Sequence, residues 1–475
     1  MTAYHWLRAF NGITVRKEDH NYLGNTPPLT VMTTASSPQF YLGTGEDVYE
    51  HILIPVIEAA EQEVLFVTCF WAQSSVLSKL CNSLLFLSQK SLSRNSPSKI
   101  RVRLCFSSRS LLQKLVHTSS PQGYIYPPST WTTKLGLPPP GQLEGLDLEV
   151  KSMFFRPFSV MHPKFVVVDR KNAFMPSCNL SWEKWLECCI SLEGPIVAKL
   201  VDFWCHSWGR EDLPSLELSR RPLQQVTTHR YRSDDDFPGR SNHNFPKSIF
   251  HANTYIEAIL LPSPYHTSLS LSLPIRTPAP PSTPLNVFLG HAFETAKQSI
   301  HMVTPNLTSP PVLRALLAAL SRGINITIFT NRLMMIPEQV VTAGTITEIC
   351  VWKLVRAHRR LLDEAENRVL GAEDTLEAGL LPQRPGRLKV EYFRSRRLSD
   401  HNSPIARPGE PVKTHVKCTV IDQETIVLGS GNMDRASWYT SQELGIALFD
   451  KELVISIWDL LQQGLQERTT VYYDG

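Results

Sequence analysis

No stretch of this chain approaches the roughly 18 consecutive apolar residues that a helix needs to span a bilayer. The longest helical apolar segment, VLRALLAAL at 312–320, has the length of a core helix. Any membrane contact is therefore expected to be peripheral. A charge of one sign is also missing. The 48 Lys and Arg residues face 44 Asp and Glu, a net of +4, too small to mark a polyanion track. The nine cysteines contain no CxxC pair, which counts against the common structural zinc sites. They lie mostly in apolar strings, such as Cys69 in VLFVTCFW and Cys105 in VRLCF, so buried free thiols of a reducing compartment are expected rather than disulfides. The first twenty residues lack the apolar core of a secretion signal, and Glu18 and Asp19 count against an organellar presequence. An intracellular protein is expected.

What is present is a duplication. In THVKCTVIDQETIVLGSGN (414–432), His415, Lys417 and Asp422 precede Gly429-Ser430-Gly431-Asn432. In MHPKFVVVDRKNAFMPSCN (161–179), His162, Lys164 and Asp169 precede Pro176-Ser177-Cys178-Asn179. The offset is 415 − 162 = 253 and holds at every one of these positions. The likeness extends outward. EVLFVTCFWAQSSVLSKL (63–80) parallels SIHMVTPNLTSPPVLRAL (299–316), each a β-rich run, a loop and a helical pattern. SKIRVRLCFSS (98–108) parallels RGINITIFTNR (322–332), and LEVKSMFF (148–155) parallels LKVEYFRS (388–395). Downstream, CCISLEG (188–194) and LGIALFD (444–450) each lead into an amphipathic helix.

Strands alternating with helical crossovers predict an α/β fold of two pseudo-symmetric repeats, each a mostly parallel (mixed) sheet flanked by helices. The boundaries read from the chain are an extension at 1–29, a first repeat at 30–212, a linker at 213–249 and a second repeat at 250–475. Within the second repeat, the Ser/Pro-rich stretch 268–286 reads as a surface loop. An insertion at about 340–385 carries a helical stripe at 351, 354, 355, 361 and 362 with a basic flank.

HxKxxxxD followed by GSxN, present twice, resembles the phospholipase D superfamily, nearest to cardiolipin synthase-like and bacterial-type phospholipase D members. The chain departs from that pattern where Pro176 replaces a glycine, where Arg435-Ala436-Ser437 replaces adjacent arginine and serine, and where Ser441 stands in place of an asparagine. The resemblance implies a shared active site at the interface between the halves and a metal-independent reaction through a phosphohistidine. It also implies a glutamate partner for each histidine: Glu443 in the second repeat, eleven residues after Asn432, and Glu187 in the first, with Glu193 as an alternative.

The residue types suit this chemistry. An anionic phosphodiester needs a nucleophile, a proton donor for the leaving alkoxide and cations on the phosphoryl oxygens. On a strand, residues i and i+2 face one side, so His162 with Lys164, and His415 with Lys417, would point together. Lys164 and Lys417 would neutralise the phosphoryl oxygens, and Ser177, Asn179, Ser430 and Asn432 would donate hydrogen bonds to them. Asp169 and Asp422 complete the motif at the strand ends, where they read as hydrogen-bond acceptors within each half. No carboxylate cluster suited to Mg²⁺ or Ca²⁺ is visible, so no metal or cofactor is expected. The expected substrate is a phospholipid and the expected state a monomer. A nuclease of the same superfamily is the alternative, and a non-catalytic scaffold the second. The aromatic segment around Tyr124, Tyr126 and Trp131 reads as a surface loop, Trp182, Trp185, Trp204 and Trp208 as packing residues, and the basic run Arg384, Arg387, Lys389, Arg394, Arg396 and Arg397 as solvated charge.

Overall fold

The computed structural model describes residues 28–94, 98–110, 123–155, 159–209, 247–250, 255–263, 279–373, 384–396 and 409–475, with the isolated positions 213 and 216. Most of the expected extension 1–29 and linker 213–249, the first part of the loop 268–286, the end of the insertion and Arg397 lie outside these residues. Two compact units account for the chain. One comprises residues 34–156 and 160–255, and the other is built chiefly from residues 256–475.

In the first unit, β1 (Met32–Thr44) leads into a helical segment, α1 (residues 45–59), then β2 (Glu63–Phe70), α2 (Ser75–Leu92), β3 (Ile100–Ser108) and β4 (Leu146–Ser152). A hairpin follows, β5 (Phe165–Val168) and β6 (Asn172–Pro176), then β7 (Trp185–Glu193), α3 (Pro195–Ser207) and β8 (Lys247–Phe250). The strands run side by side as β8, β1, β7, β6, β5, β2, β3, β4. Seven of the eight residues of β2, EVLFVTCF, are buried. Such a continuous run marks a strand covered on both faces. Ser74 starts α2 by accepting the Leu77 N–H at 3.2 Å, and Val76, Leu77, Leu80, Leu84 and Leu87 form its buried stripe.

The second unit repeats the plan. β9 (Ile256–Ser263), α4 (Pro284–Thr295), β10 (Ser299–Val303), α5 (Pro310–Ser321) and β11 (Asn325–Thr330) are followed by two helices without counterpart among the described residues of the first unit, α6 (Ile336–Ala343) and α7 (Thr347–Glu373). Then come β12 (Leu388–Phe393), the hairpin β13 (Cys418–Ile421) and β14 (Thr425–Gly429), α8 (Arg435–Tyr439), β15 (Glu443–Leu448), α9 (Lys451–Leu465) and β16 (Thr469–Asp474). Their order is β9, β15, β14, β13, β10, β11, β12, β16. The last residues of the expected loop 268–286 are the start of α4. Thr283 accepts the Asn286 N–H at 3.3 Å and Pro284 occupies the first helical position, a helix-start signal inside a proline-rich stretch.

Each sheet is mixed, and its parallel part is narrower than the sequence suggests. Among the described residues only the strands β2–β3–β4 and β10–β11–β12 run parallel, and the strands bearing the motifs pair antiparallel. The reason lies in the motif aspartates, which turn the chain back at once. Asp169 and Arg170 have φ of 51° and 54°, and Lys171 N–H donates to Val168 O at 3.0 Å. Asp422 and Gln423 have φ of 54° and 55°, and Glu424 N–H donates to Ile421 O at 3.0 Å. Both are tight turns with two left-handed residues, the geometry that suits a twisted hairpin. The Asp169 carboxylate accepts the N–H groups of Glu61, Gln62 and Glu63 at 2.9, 2.7 and 2.8 Å. The Asp422 carboxylate accepts those of Lys297, Gln298 and Ser299 at 3.0, 2.8 and 3.0 Å. Each aspartate thus ties its turn to the connection that enters the neighbouring strand.

All nine cysteines are free thiols, seven of them buried. Tyr126, Trp131, Trp204 and Trp208 are buried, whereas Trp182 is exposed, which corrects both the surface-loop reading around Tyr126 and the packing role expected for Trp182. The Trp131 indole N–H donates to Tyr126 O at 2.9 Å, so that segment folds on itself. Among the described residues no helix is long and apolar enough to cross a membrane.

Losing three charge-assisted bonds at a strained turn is expected to cost about 3 kcal/mol. Asp169→Ala and Asp422→Ala should each lower the urea midpoint of unfolding accordingly, with unchanged slope.

Candidate active site

His162 and Lys164 sit on the extended segment that enters β5, and His415 and Lys417 on the one that enters β13. Lys164 and Lys417 are both buried. Each ammonium donates to the carbonyl of the histidine two residues before it, Lys164 at 2.9 Å and Lys417 at 2.7 Å. The lysine therefore fixes the backbone that carries its own imidazole.

A serine–carboxylate pair lies at the end of each hairpin. The Ser177 hydroxyl donates to Glu187 Oε2 and accepts the Cys188 N–H at 2.8 Å, while Ser177 N–H donates to Cys188 O at 2.7 Å. The Ser430 hydroxyl donates to Glu443 Oε2 and accepts the Leu444 N–H at 3.0 Å, while Ser430 N–H donates to Leu444 O at 3.0 Å. Both glutamates are buried. Glu187 thus occupies the position of Glu443, although its spacing from the motif serine is ten residues rather than thirteen. Glu193 lies exposed at the far end of β7, opposite Asn172. The strand pairing agrees, since Glu187 stands opposite Gly43 of β1 and Glu443 opposite Ser263 of β9.

The asparagines are held differently. Asn179 Oδ1 accepts the Phe70 N–H at 3.3 Å, which leaves its NH₂ as the free end of the amide. Asn432 donates from Nδ2 to Asp434 Oδ2 at 3.1 Å, and its second N–H is the donor available to an anionic oxygen. Burial pushes the Asp434 carboxyl up, the Ser437 N–H bond pulls it down, and the nearby Glu443 charge raises it. Burial likewise pushes the Cys178 thiol well up, with Glu187 adding to the effect, so Cys178 is a packing thiol and not a nucleophile.

Asp169 and Asp422 stand apart from this chemistry. Each lies beyond a four-residue strand from its lysine, roughly 16 Å along the chain, and its carboxylate is committed to three backbone N–H groups. Their carboxylates hold the hairpin. The basic run before the second motif is partly ion-paired: Arg387 with Asp474 at 2.6 Å, Lys389 with Glu391 at 2.5 Å and Arg396 with Glu467 at 3.3 Å. Among the described residues no group of three or more His, Cys, Asp or Glu side chains is placed to hold a metal ion.

Two residues in this network were not among the expected site residues. Ser437 accepts the Asn432 N–H at 3.1 Å and donates to Glu443 Oε1 at 2.7 Å. Asp434 caps α8 by accepting the Ser437 N–H at 2.8 Å. The available signal was the N-cap pattern Asp434-x-x-Ser437 directly after the motif asparagine.

The repeats differ most at Pro176 and Gly429, which stand opposite Cys189 and Gly445. Gly429 has φ of 153°, and a Cβ there would lie 2.3 Å from Leu444 O. Only glycine fits that approach. Pro176 ends β6 without disturbing the Ser177–Glu187 pair beyond it. Gly429→Ala is expected to destabilise by about 2–4 kcal/mol, whereas Pro176→Gly should shift stability by no more than about 1 kcal/mol. Thermal melts of the two variants check this.

A family model described as "Cardiolipin synthase, PLD-like domain" matches residues 289–463, which contain His415, Lys417, Ser430, Asn432 and Glu443. No curated protein matches the sequence. Among solved structures, the chain is similar to the phosphatidylserine synthase of Haemophilus influenzae Rd KW20 at 14% identity, over 91% of this chain and 87% of that one, with a TM-score of 0.49. It is similar to the polyphosphate kinase of Porphyromonas gingivalis at 10% identity, over 90% and 50%, with a TM-score of 0.45. A third likeness is to Nuc, a phospholipase D family member from Salmonella typhimurium, at 18% identity over 40% and 90%, with a TM-score of 0.24. The second repeat, over residues 289–463, thus carries a phospholipase D-like domain of the cardiolipin synthase type.

Proposed function

We propose that the protein is a phosphodiesterase or phosphatidyltransferase acting on phospholipids, with both repeats contributing to one reaction. The observation that carries this reading is that two half-sites, 253 residues apart in sequence, share their wiring: lysine to its own histidine carbonyl, and buried serine to buried glutamate. A decayed scaffold has no reason to keep a costly buried carboxylate in the same place twice. The family match over the second repeat supports a phospholipid substrate.

In the proposed reaction His162 Nε2 attacks phosphorus, and the phosphorus–oxygen bond to the leaving alcohol breaks as His415 gives that oxygen its proton. The product is a phosphohistidine and a free alcohol. His415, now neutral, takes a proton from water or an acceptor alcohol, whose oxygen displaces His162 from phosphorus. Lys164 and Lys417 balance charge on the non-bridging oxygens, and the amides of Asn179 and Asn432 donate to them. Glu187 and Glu443 would orient the imidazoles, with Ser437 holding Glu443.

With lysines supplying the positive charge, EDTA should leave turnover of phosphatidylglycerol or phosphatidylcholine intact. Loss of activity on chelation, restored by a divalent ion, would overturn the mechanism. Enzyme denatured during turnover should carry a phosphatidyl adduct on His162. His162→Ala should abolish the adduct, whereas His415→Ala should slow its formation by about 10²–10⁴-fold with natural lipid and far less with a p-nitrophenyl ester, whose leaving group needs little protonation. An adduct on His415 would reverse the two roles. Turnover of single-stranded DNA in place of lipid would overturn the substrate class.

A further inference from the structure

The helices of the hairpin α6–α7 have no counterpart among the described residues of the first unit and no part in the proposed chemistry. One side of α7 is core: Val351, Leu354, Val355 and His358 are buried, and the His358 ring is held between Tyr473 Oη at 3.0 Å and Gly386 O at 2.8 Å. The opposite side follows the same helical spacing. Ile349, Trp352, Lys353, Arg356, Arg359 and Arg360 are all exposed, Trp352 by 49%. No acidic residue lies between Glu348 and Asp363. On and just before α6, Leu333, Met335, Val340 and Val341 are exposed as well, Val341 by 59%. The Arg356 guanidinium lies 5.4 Å over the Trp352 ring, and Arg359 5.1 Å over the Tyr473 ring. Trp352, Val355, Arg356, Arg359 and Tyr472 line a groove of about 360 Å³.

We infer that this hairpin is a docking surface for an anionic lipid bilayer. Charge complementarity selects that occupant: Lys353, Arg356, Arg359 and Arg360 stand on one helix face with a single exposed anion, Asp363, among them, and the exposed indole of Trp352 shares that face. Indole and arginine are favoured at the headgroup level, and aliphatic side chains gain by entering the acyl boundary. A nucleic acid would use the cations and the rings but gives Leu333, Val340 and Val341 nothing to enter. Buried links tie the hairpin to the second half-site. Gln339 accepts the Thr347 N–H at 2.8 Å and donates to Asn306 Oδ1 at 3.1 Å, and Thr347 Oγ1 accepts the Leu307 N–H at 3.0 Å. Arg435, three residues after Asn432, donates to Thr342 O at 3.1 Å. The surface is a binding device, and its inference does not rest on the phosphodiesterase reading.

The test is flotation of the full-length protein with vesicles of phosphatidylcholine alone and of phosphatidylcholine with 30 mol% phosphatidylglycerol, about a third anionic lipid as a working composition. The expected result is partition onto the anionic vesicles that falls with added salt. The triple variant Lys353→Gln/Arg356→Gln/Arg360→Gln should lower that partition at least about tenfold, since each cation near an anionic surface is worth about fivefold. Trp352→Ala should weaken it by a similar or smaller factor. A control carrying Lys99→Gln, Lys134→Gln and Lys451→Gln, the same change in net charge at exposed sites elsewhere, should bind as the unaltered protein does. These are surface changes, and matching melting curves confirm that each variant folds. Equal partition onto neutral vesicles, equal loss in the control, or retention on a single-stranded oligonucleotide without vesicle binding would each overturn the inference.

Discussion

A carboxylate that gathers three consecutive backbone N–H groups governs how each repeat is built. Asp422 holds the N–H groups of residues 297–299, and Asp169 those of residues 61–63. The bonds fix a left-handed turn that few residues adopt. They also lock the motif hairpin in register against the neighbouring strand, where Val168 faces Val64 and Ile421 faces Ile300. A slip of one residue would turn every side chain of the hairpin to the other face. Presentation of the histidine and lysine at one end of the hairpin therefore depends on the aspartate at the other.

The serine and glutamate complete this arrangement from the next strand. Their pairing in both units shows that the motif serine is committed to an acidic neighbour and its backbone. A phosphate oxygen would compete with that carboxylate, so the serine is better seen as the anchor of the glutamate than as a phosphate donor. The units diverge around this anchor. Gly429 lets two strands approach more closely than any side chain allows, and Ser437 and Asp434 add a second layer around Glu443. The first unit has Pro176 in place of the glycine and keeps its serine–glutamate pair.

The hairpin α6–α7 shows how an insertion can be tolerated without altering the repeat. It enters between β11 and β12, two parallel strands whose connection crosses the face of the sheet, and it buries only one side. His358, a polar residue at the centre of that side, is satisfied at both ring nitrogens, and burial lowers its proton affinity. The other side carries charge and apolar surface together, which a helix serving only as cover for a sheet has no need to combine.

The sequence by itself determined the duplication, the residues of each half-site and the alternation of strands and helices, because a constant offset of 253 and periodic burial are properties of the chain alone. It placed Glu443 by spacing but left Glu187 and Glu193 open, since a three-residue difference in the loop after the motif breaks any count along the chain. Strand pairing decided for Glu187, because register across a sheet is set by hydrogen bonds between distant segments. The sequence overstated the parallel character of the sheets, as an Asp-containing turn that reverses the chain looks like any polar loop until its carboxylate meets backbone more than a hundred residues away. It read Tyr126 and Trp131 as a surface loop because proline and threonine surround them, and only the folded chain shows that segment covering the core. Ser437 joins the hydrogen-bond network around Glu443 because hydrogen-bond partners are chosen in three dimensions, after the sheets have formed.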